Sequence, residues 1–278
     1  MQSEIGMQSE SATEIQDEKR PKIVVFGAGN VASHLAPALA RVARVVQIVS
    51  RHKESAAALA AAIGADCKGI TSVDDIDPTA DFYIIAVNDD AVARVVESTP
   101  AFEGIWAHTS GSVPADVFRG QKARYGVLYP LQTFTRSVEV DVSRVPFFIE
   151  GSDPATEKSL VNLASKISSR VEIADSSRRS LLHVAAVFAC NFANLMWMEA
   201  DKILRPHGLE VGVMMPLLQA TLEKLNSVSP RDAMTGPARR GDLHVIASHL
   251  DRLPEDQAEI YRLLSQTILN EFHSDLKI

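Results

Sequence analysis

Residues 22–39 read KIVVFGAGNVASHLAPAL, and the fold is decided there. Four apolar residues, Ile23 to Phe26, read as a buried parallel strand. They run straight into Gly27, Ala28, Gly29, Asn30, Val31 and Ala32, after which a helix-like pattern begins. A strand, then G-x-G-x-x-A, then a helix is the arrangement that lets backbone approach a pyrophosphate closely. Gly27 allows the tight turn, and Gly29 has no Cβ to block the phosphates. Ala32 is small enough for the helix to pack on the sheet, whose N-terminus offers free N–H groups to the anion. Pro37 breaks a local rule, because inside a helix it removes a hydrogen bond and kinks or shortens it.

The next strand, Val45 to Val49, ends in Ser50, Arg51, His52 and Lys53. An acidic residue at that position would accept hydrogen bonds from the ribose hydroxyls of NAD, whereas a small hydroxyl followed by Arg and Lys suits a 2′-phosphate. The pattern favours NADP, the alternative being that Arg51 and Lys53 are solvated loop charges. Glu54 to Ile63 is an Ala-rich helix closed by Gly64. A short strand over Ala65 to Lys68 and an acidic turn, Asp74 to Pro78, lead to the buried strand Asp81 to Val87. Its end, Asn88-Asp89-Asp90, precedes a helix from Ala91 to Glu97, so Asn88 is a helix cap, a cofactor contact or both.

Gly104 to His108 is a further strand, followed by Thr109, Ser110, Gly111 and Ser112. By position that loop faces the nicotinamide end, where a hydroxyl or imidazole polarises a carbonyl, or else it is a polar turn and nothing more. Gly126 to Tyr129 leads into Pro130-Leu131-Gln132-Thr133, which makes Gln132 and Thr133 candidate substrate contacts. Val145 to Ile149, a helix from Pro154 to Ile167, and Val171 to Ala174 extend the sheet. Alternation of strand and helix to this point means α/β with parallel pairing.

From Ser176 to Leu204 no strand or breaker intervenes, and Leu181, Leu182, Val187, Phe188, Phe192, Leu195, Trp197 and Met198 lie all round one helix. Such a helix is buried inside a helical domain or against a second subunit. Three more helices follow, over Val211 to Leu225, Asp242 to Leu250 and Pro254 to Phe272. The domains are thus a tail over 1–20, a Rossmann-type domain over 21–175 and an all-α domain over 176–278. At 100° per residue His183, Cys190 and Asn194 share one face, with Asn191 roughly 80° away from His183. Polar groups on a buried helix need partners, either a ligand or the protein itself. Thr235 to Asp242, TGPARRGD, is a second polar cluster, either an anion site or a solvated linker with a capping aspartate.

The chain has 278 residues, 46% hydrophobic and 23% charged, with a formal charge of −7. The acidic balance argues against nucleic acid or an anionic membrane as partner. Cys67 and Cys190 fit neither a disulfide framework nor a metal-ligand spacing, so no metal site is indicated and a cytoplasmic location is the default. Residues 1–20 are polar, repeat MQSE, and read as a disordered tail without a signal peptide. No unbroken apolar run approaches the roughly 20 residues that span a bilayer.

In combination, FGAGNVA, SR, IIAVNDDAV, HTSGS, YPLQTF, LHVAAVFACNF and TGPARRGD resemble one family from about residue 21 to the end. These are the Rossmann-like proteins whose helical C-terminal part is domain of unknown function 2520. More distantly the layout is similar to 6-phosphogluconate dehydrogenase, β-hydroxyacid dehydrogenases, ketopantoate reductase, pyrroline-5-carboxylate reductase and prephenate dehydrogenase. The resemblance implies an NADP-dependent oxidoreductase, homodimeric through its helical domain. Carried over, Gly27, Gly29 and Ala32 hold the pyrophosphate, Ser50 and Arg51 the adenosine phosphate, and Val87, Asn88, Asp89 and Thr109 to Gly111 the rest of the cofactor. The β-hydroxyacid dehydrogenases place a lysine early in the long helix and an asparagine four residues on; here His183 is followed by Val187, and the asparagine is Asn191. The expected chemistry is hydride transfer between NADPH and a small carbonyl or imine compound. His183 is the general acid, and Asn191, Ser110 and Gln132 orient the substrate. The alternative is a non-catalytic NADP(H) sensor, suggested by the missing lysine.

Overall fold

The computed structural model describes residues 20–278, so the tail reading of residues 1–19 lies outside the described residues. Contacts divide the described residues into two compact units, one ending at Cys190 and the other Asn191–Ile278.

The first unit holds strands β1 (Lys22–Phe26), β2 (Arg44–Val49), β3 (Lys68–Ile70), β4 (Phe82–Ile85), β5 (Ile105–His108), β6 (Tyr125–Pro130), β7 (Phe147–Gly151) and β8 (Val171–Ile173). Between them lie helices α1 (Asn30–Ala40), α2 (Lys53–Ile63), α3 (Asp89–Ser98) and α4 (Pro154–Ala164). The eight strands form one sheet in the order β3-β2-β1-β4-β5-β6-β7-β8. All neighbours pair in parallel except β6 and β7, which are antiparallel. The exception has a topological cause. A parallel pair needs a crossover long enough to return the chain, usually a helix, and the segment from β6 to β7 contains only the single turn Val142–Arg144.

The continuous apolar run of β1 reflects burial on both faces. Ile23 and Val25 pack with Leu35 and Leu39 of α1 on one side, whereas Val24 and Phe26 pack with Tyr83, Trp106 and Val96 on the other. Pro37 neither stops nor splits α1, which ends three residues later at Ala40.

Helix α5 (Ser176–Ala186) closes the first unit and continues through a π-helical segment, Val187–Phe192, into α6 (Ala193–Leu204). Its i→i+5 turns are wider and rotate less per residue, so the shared face deduced for His183, Cys190 and Asn194 does not carry through. The expectation of burial is also corrected within the chain. Leu181 is 70% exposed, Val184 53% and Met198 52%, and Arg179 is the one buried residue of α5. By length and composition alone Ser176–His207 meets the requirement for a membrane span, with a mean hydropathy of 1.5 over 18 residues. The polar interruptions that broke the apolar runs in the sequence hide this.

The second unit is all-α. A single turn, Val211–Met214, leads into α7 (Met215–Lys224), followed by α8 (Pro230–Ala233), α9 (Pro237–Arg240), α10 (Leu243–Leu250) and α11 (Glu255–Phe272). Ala238, Ile246 and Leu269 form its small core. Asp242 precedes α10 without a side-chain cap; it pairs with Arg240 at 2.8 Å, while Arg239 stacks on Phe272 at 4.0 Å.

Candidate active site

Phe26 is level with Ile85, Ile85 with His108, and His108 with Val127, so four strands reach the same height in register. The turn at Gly27, the corner at Val87-Asn88, the Thr109–Gly111 loop and Tyr129 therefore share the carboxyl edge of the sheet. That is the edge where open α/β sheets bind ligands. With strands about 4.8 Å apart, β1 and β6 are separated by roughly 14 Å.

Gly27 has a φ of 108°, and a Cβ there would stand 2.2 Å from the Ala86 carbonyl oxygen. Only glycine lets the chain leave β1 this close to β4. Around Gly29, by contrast, an added Cβ would meet nothing within 4 Å. The space belongs to a cleft of about 500 Å³ lined by Gly27, Ala28, Gly29, Ser50, Arg51, Val87 and Asn88. Its shape and lining fit a dinucleotide: a glycine turn stripped of side chains at one wall, and a hydroxyl and an arginine at the end of β2. Asn88 sits at the N-terminus of α3 but makes no side-chain cap bond, which leaves its amide free for the cleft. The remaining candidates do not line it. Asn30 and Asp89 are exposed starts of their helices, Val31 and Ala32 pack toward the core, and Thr109 directs its N–H and hydroxyl to the Ile85 carbonyl at 3.0 and 3.4 Å. The sequence reading missed His52, Thr71, Arg94 and Arg136, which do line the cleft.

A second group forms at the end of β6. The Tyr129 hydroxyl and His183 Nδ1 are 3.1 Å apart, with the rings edge-on. Gly111 abuts both, since a Cβ there would lie 2.7 Å from His183 Nδ1 and 2.8 Å from Tyr129 Cζ. Burial pushes the Tyr129 phenol up, with Arg179 opposing and Asp89 adding to the shift. The phenol therefore keeps its proton at neutral pH. Tyr129 escaped notice in the sequence because it reads as the last residue of a buried strand. An aromatic hydroxyl at a strand end on the ligand edge was the available signal.

Arg179, four residues before His183 on α5, is fully buried. Its guanidinium donates to the Glu150 carboxylate, to the Val113 carbonyl at 2.7 Å and to Ser176 Oγ at 3.2 Å. Ser176 Oγ in turn accepts from the Ala115 N–H at 3.1 Å and donates to Glu150 at 2.8 Å. Three separate segments are thereby tied together: the start of α5, the loop after β5, and β7. His108 is buried beside them; desolvation and then the Arg179 charge drive its pKa down to about 3, so it stays uncharged.

The other expected site residues have local partners. Ser110 Oγ accepts from the N–H groups of Ser112 and Val113 at 3.1 and 3.0 Å, closing its own turn. Gln132 Oε1 accepts from the Thr133 N–H at 2.7 Å. Asn191 is exposed and begins the second unit.

A parallel sheet with a glycine turn opening on a cleft, and a histidine–tyrosine pair on the same edge, defines a Rossmann-type oxidoreductase. Residues 22–108 match the family described as NADP oxidoreductase coenzyme F420-dependent, and residues 145–268 match domain of unknown function 2520. A Bacteroides fragilis protein assigned as an NADP oxidoreductase is 41% identical, over 90% of this chain and 98% of that one, with a TM-score of 0.85. The chain belongs to this family of NADP oxidoreductases carrying domain 2520. Two more distant structures share the fold. They are 1-pyrroline-5-carboxylate reductase of Streptococcus pyogenes (14% identity, 91% and 98% covered, TM-score 0.62) and a reductive aminase of Aspergillus terreus in complex with NADPH and ethyl levulinate (14%, 91% and 87%, 0.60). No curated protein matches the sequence.

The two glycines of the turn should separate folding from binding. Gly27→Ala is expected to lower the unfolding free energy by more than about 1 kcal/mol, because neither its φ nor its space accepts a methyl group. Gly29→Ala should melt like the wild type, within about 0.5 kcal/mol, yet bind NADPH more weakly. Thermal melts and NADPH titrations of the two variants check this; equal losses of stability would contradict it.

Proposed function

We propose that the protein reduces a small carbonyl or imine compound with NADPH, with His183 giving the proton. The observation behind this reading is the Tyr129–His183–Gly111 group on the strand-end edge that also carries the Gly27 turn. NADPH supplies the hydride when bound in the cleft. Ser50 and Arg51 hold its 2′-phosphate. The turn from Gly27 through Ala28 to Gly29, at the start of α1, holds the pyrophosphate, and Val87 and Asn88 line the way to the nicotinamide.

The Tyr129 hydroxyl, protonated and on a buried side chain, donates to His183 Nδ1, which puts the ring proton on Nε2. That N–H delivers the proton to the oxygen or nitrogen on which negative charge develops as the double bond is reduced, the Tyr129 hydroxyl proton passing to Nδ1 as it leaves and solvent returning a proton to the phenol oxygen. Gly111 lets loop backbone press on both rings and fix their angle. The free hydroxyl proton of Ser110 and the amide nitrogen of Gln132 orient the substrate. The sensor alternative was motivated by the lack of an acid, and the Tyr129–His183 pair supports the enzyme instead.

We also propose a homodimer. Leu181 and Val184 leave exposed apolar side chains on α5, and a second copy covers them through a self-complementary two-fold contact.

His183→Ala should cut NADPH consumption across a panel of carbonyl compounds, alone and mixed with amines, by roughly 100-fold or more, with NADPH affinity retained. Undiminished turnover would remove His183 from the reaction. In sedimentation equilibrium the wild type should run at twice the chain mass and Leu181→Glu/Val184→Glu as a monomer. A monomeric wild type, or one that partitions into lipid vesicles, would overturn the dimer.

A further inference from the structure

The glycine turn has no positive side chain of its own, and the first turn of α1 contains no basic residue. Next to the cleft-lining Asn88, α3 opens with Asp89 and Asp90, whose charge opposes that of a bound phosphate. Of its own, the turn therefore offers a pyrophosphate only backbone N–H groups and a helix terminus equivalent to about half a charge.

A cation reaches the turn from elsewhere in the chain. Arg136 lines the cleft, and its guanidinium donates a hydrogen bond to the Ala28 carbonyl oxygen. That bond uses one of five donors, and among the described residues no carboxylate pairs with the group. The segment that delivers it is fastened to α1. His34 stacks on Phe134 at 5.2 Å, and its Nε2 lies 3.1 Å from the Thr135 carbonyl oxygen. Gln132 holds the start of the segment through the Thr133 N–H. Residues 131–136 thus form a strap docked on the helix that follows the glycine turn, with its arginine laid over that turn.

We infer that Arg136 is a cofactor-binding residue whose guanidinium contacts the pyrophosphate of the dinucleotide. The inference rests on the cofactor reading above and adds a division of labour to it. Arg51 tells NADPH from NADH, because only NADPH has the 2′-phosphate. Arg136 serves both, because both have the pyrophosphate.

Fluorescence or calorimetric titration of the full chain with NADPH, NADH and adenosine 2′-monophosphate tests this. Arg136→Gln should weaken NADPH and NADH by the same factor, roughly tenfold or more, and leave adenosine 2′-monophosphate unaffected. Arg136→Lys, which keeps the charge, should recover part of the loss. Arg51→Ala should weaken NADPH and adenosine 2′-monophosphate but not NADH. If Arg136→Gln binds NADH like the wild type, or if the Gln and Lys variants lose equally, Arg136 only braces the Ala28 carbonyl and the inference is overturned. A wild type that binds neither dinucleotide overturns the cofactor reading and this inference together, an outcome distinct from normal wild-type binding with an indifferent Arg136→Gln.

Discussion

The ion pair between Arg179 and Glu150 is the contact on which the position of His183 depends. A guanidinium with no exposed surface needs partners for its N–H donors, and removing one partner of such a pair costs about 3–5 kcal/mol. Here the partners come from three segments: Glu150 from β7, Val113 from the loop after β5, and Ser176 from the start of α5. Satisfying the charge therefore fixes the loop carrying Gly111 and the helix carrying His183 at the same time. It explains why a helix whose other residues are exposed or half-exposed is nonetheless set firmly against the sheet at its first turn.

The sheet supplies the second constraint, which is one of distance. Because Phe26, Ile85, His108 and Val127 are level across β1, β4, β5 and β6, the phosphate turn and the histidine–tyrosine pair stand on one edge, three strand spacings apart. On the proposed function, the adenosine half of a dinucleotide along this edge would lie toward β2, where Ser50 and Arg51 stand, and its nicotinamide half toward β5 and β6. The antiparallel β7 adds to this layout, since it brings Glu150 back toward the start of α5.

Much of this is legible in the sequence, and the division follows the range of the interactions. Ile23 to Phe26 and the turn after them announce themselves because strand, turn and helix signals fall within eighteen residues. The later strands read as apolar runs for the same reason, although β3 lies at Lys68–Ile70, just beyond the expected Ala65 to Lys68. Tyr129, Arg136 and Arg179 were not legible. Each acts on a segment at least 29 residues away, and only Tyr129, an aromatic hydroxyl at a strand end, has a local signal beside it. The antiparallel β7 and the π-helical segment Val187–Phe192 were hidden likewise, the one set by how the chain returns after β6 and the other invisible to a fixed 100° rotation. Asn88 is the intermediate case. Its two roles were both written in the residue type, and only the missing cap bond separates them.

In the proposed reaction Tyr129 sets the proton of His183 on Nε2. The ¹⁵N NMR spectrum of the histidines, with His183 assigned by substitution, measures that directly and needs no substrate. The wild type should show His183 as the Nε2–H tautomer, and Tyr129→Phe should lose that preference. A proton on Nδ1 in the wild type, or a tautomer that Tyr129→Phe leaves unchanged, would contradict the account.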